Sequence, residues 1–206
     1  MATLTAKPAL ATTTVAKATQ PAILAEVHGA SAAIWQRALR PNLASDVARL
    51  LASPFKELKI TAGQAGLASE LAPALSAYPA LLADVLDLVG QFTGLTQTSE
   101  VRLWLAAVNS DMCRKFHTDI TDFRLLCTYA GSGTYYVRPG HAPAKGQELG
   151  PAQVEQLRPG EVMIFRGAMA ATDKCPPLLH RSPPAQGGSR LLLRLDTNGN
   201  QAWFSV

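Results

Sequence analysis

Residue types that can hold a metal ion recur at suggestive spacing in the second half of the chain. His117 and Asp119, in Phe116-His117-Thr118-Asp119, are two positions apart, and in an extended segment such residues point to the same face. An imidazole nitrogen and a carboxylate oxygen are thereby offered to a single ion. His180, in Leu179-His180-Arg181-Ser182-Pro183-Pro184, precedes a turn-forming run and then a strand, which makes it the natural third ligand. Two histidines and one carboxylate on one side of an ion leave the opposite positions open, the arrangement expected of a non-haem Fe(II) site that binds a co-substrate and dioxygen. The plain alternative is a hydrogen-bonded His-Asp pair with no ion.

Such ligands need strands to present them. Val101, Leu103 and Leu105 alternate with Arg102, Trp104 and Ala106, the period of a strand with two unlike faces. Phe123 to Tyr129, Tyr135 to Val137, Glu161 to Phe165, Arg190 to Leu195 and Ala202 to Val206 also read as strands, divided by turns such as Gly131-Ser132-Gly133 and Pro159-Gly160. Residues 23–98 read as mainly helical. Leu43, Val47, Leu50 and Leu51 form one stripe closed by Pro54, and Tyr78, Leu82, Val85, Leu86, Val89 and Phe92 form a stronger one. Between them Leu58 to Thr61 reads as a strand and Gln64 to Ala68 as a loop. Residues 1–22, built from Ala, Thr, Lys, Pro and Gln without periodicity, read as a flexible tail. The expected fold class is α+β: a helical N-terminal part packed on a C-terminal jelly-roll-like domain over residues 99–206, in a single compact unit.

Composition narrows the function classes. A chain of 206 residues, 48% hydrophobic and 17% charged, suits one folded domain, and no uninterrupted apolar run is long enough to cross a bilayer, so no membrane role is expected. The net charge of +4 is scattered, which gives no footprint for nucleic acid. Three cysteines at wide spacing suit a reducing cytoplasm better than a disulfide framework. No Ser, Cys or Thr sits in a nucleophile elbow, and the Gly131 to Thr134 turn lacks a lysine to reach a phosphate.

The order of features is an HxD pair, a glycine turn with strands, a Pro-Gly-Glu turn before Val162 to Phe165, then His180 and an arginine-bearing strand. It resembles the double-stranded β-helix of the 2-oxoglutarate and Fe(II)-dependent oxygenases, from about residue 100 onward. The resemblance implies Fe(II) as the favoured divalent metal and 2-oxoglutarate as a small-molecule co-substrate. It also implies that a basic residue pairs with the distal carboxylate of 2-oxoglutarate, Arg190 first and Arg194 second, because a planar guanidinium holds a carboxylate through two parallel hydrogen bonds. Arg190, Leu192 and Arg194 share one strand face, opposite Leu191, Leu193 and Leu195; the alternative is that this face meets solvent. Tyr129 and Thr128 are candidates to line the same pocket.

A narrower resemblance spans most of the chain. Cys113 with Phe116 to Asp119, Arg124 to Tyr129 with Gly131 and Gly133-Thr134, His180 to Pro184, and Arg190 to Asp196 resemble the signature of the bacterial family called domain of unknown function 1826; Trp35 and Arg37 fit its N-terminal part. The family pattern has two arginines before the leucine run, where this chain has Ser189-Arg190. Its members are associated with zinc-responsive gene neighbourhoods, which implies Zn(II) as the alternative ion. Cys113, four residues before His117, and Cys175, five before His180, then become additional candidate ligands, since thiolates favour Zn(II) over Fe(II). Two functions stand as expectations. One is a 2-oxoglutarate/Fe(II)-dependent oxygenase acting on an organic substrate. The other is a non-catalytic zinc-handling protein that uses the same ligands with a nearby cysteine.

Overall fold

Alternating runs become strands and three-to-four-residue stripes become helices in the computed structural model, which describes residues 12–110, 112–141, 149–185 and 188–197. The strands are β1 (Val15–Ala18), β2 (Ala32–Trp35), β3 (Glu57–Ala62), β4 (Val101–Val108), β5 (Phe123–Ala130), β6 (Tyr135–Val137), β7 (Val154–Gln156), β8 (Val162–Arg166), β9 (His180–Arg181) and β10 (Arg190–Thr197). The α-helices are α1 (Pro41–Ala52), α2 (Gln64–Ala74) and α3 (Pro79–Thr96). Seven strands form a large sheet in the order β1-β2-β8-β5-β10-β4-β3, parallel at β1–β2 and antiparallel elsewhere. A small sheet, β7-β6-β9, faces it. Among the described residues no helix is long and apolar enough to cross a membrane.

β10 shows how one strand serves two layers. Leu191, Leu193 and Leu195 join a core with Leu67, Leu71, Val85, Leu88 and Phe92 of the helices. Leu192, between Arg190 and Arg194, instead packs with Trp104, Leu126, Met163 and Phe165, and with Tyr136 and Leu178 on the small-sheet side. The three outer leucines are fully buried, each stabilising the fold by about 2 kcal/mol. A one-residue slip would exchange them for Arg190 and Arg194, so the helices fix which side chains look into the space between the sheets.

The N-terminal part differs from the helical layer expected over residues 23–98, because its strands β2 and β3 are built into the large sheet. The helices cover the outer face. The tail expected over residues 1–22 is corrected in its second half. Val15–Ala18 pairs with β2, Thr14 and Ser31 each donate a backbone N–H to the other's hydroxyl, and Lys17 forms an ion pair with Glu155. Residues 1–11, and the strand expected at Ala202 to Val206, lie outside the described residues. The loop expected at Gln64 to Ala68 is the start of α2: Leu67, Leu71 and Leu75 recur every four residues and are fully buried, a stripe that outweighs the poor helix propensity of Gly66.

Candidate metal centre

Backbone pairing brings the two histidines together. The N–H of each donates to the carbonyl of the other at 3.0 Å, an antiparallel bridge that places His117 beside β9. Residues paired in this way project side chains to one face, and the rings stand 4.6 Å apart. Asp119 follows on a loop held by three backbone bonds: Ala168 N–H to the Asp119 carbonyl at 2.8 Å, Gly167 N–H to the Asp122 carbonyl at 2.9 Å and Met169 N–H to the Thr121 carbonyl at 3.2 Å. Glycine is needed there, since a Cβ on residue 167 would fall 2.1 Å from the Thr121 carbonyl oxygen. Nε2 of His180 lies 3.1 Å from Asp119 Oδ2, and Nε2 of His117 lies 3.5 Å from Oδ1. One ligand atom from each residue falls within 4.8 Å of the others, close to the separations of roughly 3–4 Å needed by three ligands about 2.1 Å from one ion.

Both rings present the correct nitrogen. Nδ1 of His117 is 3.0 Å from the Lys115 carbonyl and Nδ1 of His180 is 3.2 Å from the Leu178 carbonyl. A carbonyl only accepts, so each Nδ1 carries a proton and each Nε2 has its lone pair to offer. Lone pairs aimed at a carboxylate repel unless a cation or a proton stands between them. In the metal-free protein a proton takes that place: the hydrogen bond to Asp119, then that to Cys113, raises the pKa of His117 to about 10 against the effect of burial. For Asp119, burial alone favours the neutral acid. Attraction to His180, the close approach of both imidazoles and the charge of Arg124 outweigh it and hold the carboxyl well below the usual range. A divalent cation replacing that proton suits this donor set.

A chamber of about 60 Å³ adjoins the ligands, walled by Trp104, Met112, Leu126, Thr134 and Leu192, and both Arg190 and Arg194 line it. Arg190 is only 6% exposed; its Nη2 lies 3.3 Å from Ser182 Oγ, and its Nη1 has no hydrogen-bond partner among the described residues. Burial lowers its pKa. Arg194 is engaged, with Nε 3.0 Å from Asp196 Oδ2 and its guanidinium 5.0 Å from the centre of the Trp104 ring. Gly131, at φ +79°, ends β5 against this strand, and a Cβ there would lie 2.7 Å from the Arg190 Cβ.

The placing of Tyr129 in the pocket is corrected. It shares the outer face of β5 with Leu125 and Cys127, and its hydroxyl donates to Asp84 Oδ2 at 2.8 Å under the helices. Thr128 shares the inward parity of Arg124 and Leu126, and its buried Oγ1 has no hydrogen-bond partner among the described residues. Alternation admits only one of these two neighbours to the interior. The Cys113 thiol hydrogen-bonds His117, which lowers the thiol pKa although burial opposes it. Cys175 is buried in a turn closed on Thr172. Neither sulfur is among the converging ligand atoms.

Sequence reasoning missed Arg124 as a member of the site. Its Nη1 lies 2.5 Å from Asp119 Oδ2 and its Nε 2.5 Å from Asp196 Oδ1. The signal was its position in phase with Leu126: an arginine on the inner face of a central strand requires a carboxylate nearby, and Asp196 sits directly opposite it on β10.

Fold and site together define a two-sheet protein with a candidate metal centre of two histidines and one aspartate in its interior. The chain belongs to the family described as Protein of unknown function (DUF1826), whose sequence model matches residues 18–196. No curated protein matches it. Among solved structures it is similar to dioxygenase for auxin oxidation 1 from Arabidopsis thaliana in a binary complex with 2-oxoglutarate, at 10% identity and TM-score 0.48 over 91% of this chain and 92% of that one. A Pseudomonas putida prolyl-4-hydroxylase is similar at 14% identity and TM-score 0.48, over 87% of this chain and 98% of that one. The dioxygenase for auxin oxidation in rice is similar at 12% identity and TM-score 0.47, over 83% of this chain and 74% of that one.

Proposed function

We propose that the chain is an Fe(II)- and 2-oxoglutarate-dependent oxygenase on a double-stranded β-helix. His117, Asp119 and His180 would hold the iron, and Arg190 would receive the distal carboxylate of 2-oxoglutarate. The observation that carries this is one chamber lined both by the two histidines of the three-residue cluster and by a buried guanidinium with a nitrogen left unpaired. Buried charges are costly unless paired, so an anion at Arg190 relieves an existing penalty. When bound, iron(II) would activate dioxygen, the oxidant, toward an organic substrate, with 2-oxoglutarate as the two-electron reductant that leaves as succinate and carbon dioxide. The protein's own part is to orient and to exclude water. The Lys115 and Leu178 carbonyls lock the imidazoles, Ser182 Oγ and Arg190 offer donors to a carboxylate, and Trp104, Leu126 and Leu192 keep the wall apolar. At about 60 Å³ the chamber has room for a few waters.

Anaerobic loading with Fe(II), followed by measurement of 2-oxoglutarate-dependent oxygen uptake and succinate release, tests this. Turnover is expected from the intact chain and none from His117→Ala or Asp119→Ala. A loaded wild-type protein that releases no succinate contradicts it. A second reading, zinc handling without turnover, is favoured by the Cys113 thiol at His117. It requires Zn(II) binding that is lost in Cys113→Ser.

A further inference from the structure

Asp119 has two oxygens, and the protein treats them differently. Oδ1 faces His117 Nε2 at 3.5 Å, while Oδ2 is met by His180 Nε2 at 3.1 Å and by Arg124 Nη1 at 2.5 Å. For metal affinity alone, a guanidinium against a ligand oxygen is counterproductive, because it draws electron density from the donor and places a positive charge beside a cation. Nor is Arg124 free to move off. Its Nε is tied to Asp196 Oδ1 at 2.5 Å, and Asp196 is 2% exposed with its other oxygen 3.0 Å from Arg194 Nε. Asp196 stands opposite Arg124 on β5 and opposite Arg102 on β4, so the register of three strands in the large sheet fixes the guanidinium.

We infer that Arg124 is a positioning residue that engages one oxygen of Asp119, restricts the carboxylate to one-oxygen coordination of the ion, and so keeps the co-substrate positions open. This rests on the ion being held by His117, Asp119 and His180. A carboxylate free to bind through both oxygens would grip the ion more tightly and take up a position that 2-oxoglutarate needs. The chain Asp119–Arg124–Asp196–Arg194 thus exchanges some metal affinity for an open coordination face.

The test is titration of the full chain with Co(II), read by visible absorption, followed by titration of the Co(II)-loaded protein with 2-oxoglutarate. His180→Ala addresses the centre alone: loss of Co(II) binding supports it, and unchanged binding overturns it and the inference together. With the centre intact, Arg124→Met is expected to bind Co(II) about tenfold more tightly, because a positive charge beside the ion is removed, and 2-oxoglutarate at least about tenfold more weakly, with Arg124→Lys restoring both toward wild type. If Arg124 merely supported the carboxylate, Arg124→Met would bind Co(II) no better or worse than wild type; that result, or unchanged 2-oxoglutarate affinity, overturns the inference. Should Arg124→Met fail to fold, Arg124→Gln, equally uncharged, carries the same two expectations and the same contrary results.

Discussion

On opposite faces of β5 the chain holds two arginine–aspartate clusters, one half-buried and one buried, that end differently. Under the helices, Arg37 donates to Asp84 through Nη1 and Nη2 at 2.6 and 2.8 Å and to the Gly160 carbonyl through Nε at 2.8 Å, and Tyr129 completes Asp84 from β5. Every nitrogen and oxygen of those side chains is paired, and Arg37 also stacks 4.6 Å from the Trp35 ring centre. Between the sheets, Arg190 Nη1 and Thr128 Oγ1 have no hydrogen-bond partner among the described residues, and Asp119 Oδ2 is served by charge contacts without a well-directed hydrogen bond. A closed polar network specifies a fold; an open one of the same residue types has capacity for a ligand. The same sheet supports both because alternation separates them by a single residue step.

Breaking the closed cluster should give the largest change in stability. Asp84→Ala strands the half-buried Arg37 charge and is expected to cost about 2–3 kcal/mol in urea unfolding while leaving Co(II) and 2-oxoglutarate affinities unchanged. Arg190→Met sharpens the contrast from the other face: stability within about 1 kcal/mol of wild type, and 2-oxoglutarate affinity lower by about 10- to 100-fold in calorimetry. If Asp84→Ala abolished co-substrate binding, or Arg190→Met unfolded the protein, the division between the two clusters would be wrong. A smaller effect concerns the proton that stands in for the metal. His117 titrates at about 10, above the ordinary 6.5. Its proton therefore stabilises the metal-free fold fully below about pH 6.5, and that contribution is lost as pH rises through about 10. A metal taking Nε2 must expel it, so metal affinity should climb with pH over that window. Calorimetry near pH 8, in buffers of different ionisation enthalpy, should show about one proton released per ion; zero release contradicts it.

Much of this was readable in the residues, and the failures have physical causes. The HxD spacing and the position of His180 before β10 pointed to the three side chains that meet. Arg190 and Arg194 were placed on one face by alternation, and that face looks inward because Leu191, Leu193 and Leu195 are claimed by the helices. Tyr129 lies on the strand that follows the HxD pair, but it alternates in step with Leu125 and Cys127 and so falls on the outer face. Arg124 is not legible as a site residue from its own strand, because the meaning of its charge depends on Asp196, 72 residues away. β1 is short and weakly apolar, and it becomes a strand only because the edge of β2 offers a ladder.

The central claim is that His117, Asp119 and His180 share one ion. Anomalous diffraction from crystals loaded anaerobically with Fe(II), collected on both sides of the iron edge, measures it directly. One peak about 2.0–2.2 Å from His117 Nε2, an Asp119 oxygen and His180 Nε2 is predicted. A peak bonded to the Cys113 or Cys175 sulfur, or no peak between the histidines, would contradict it.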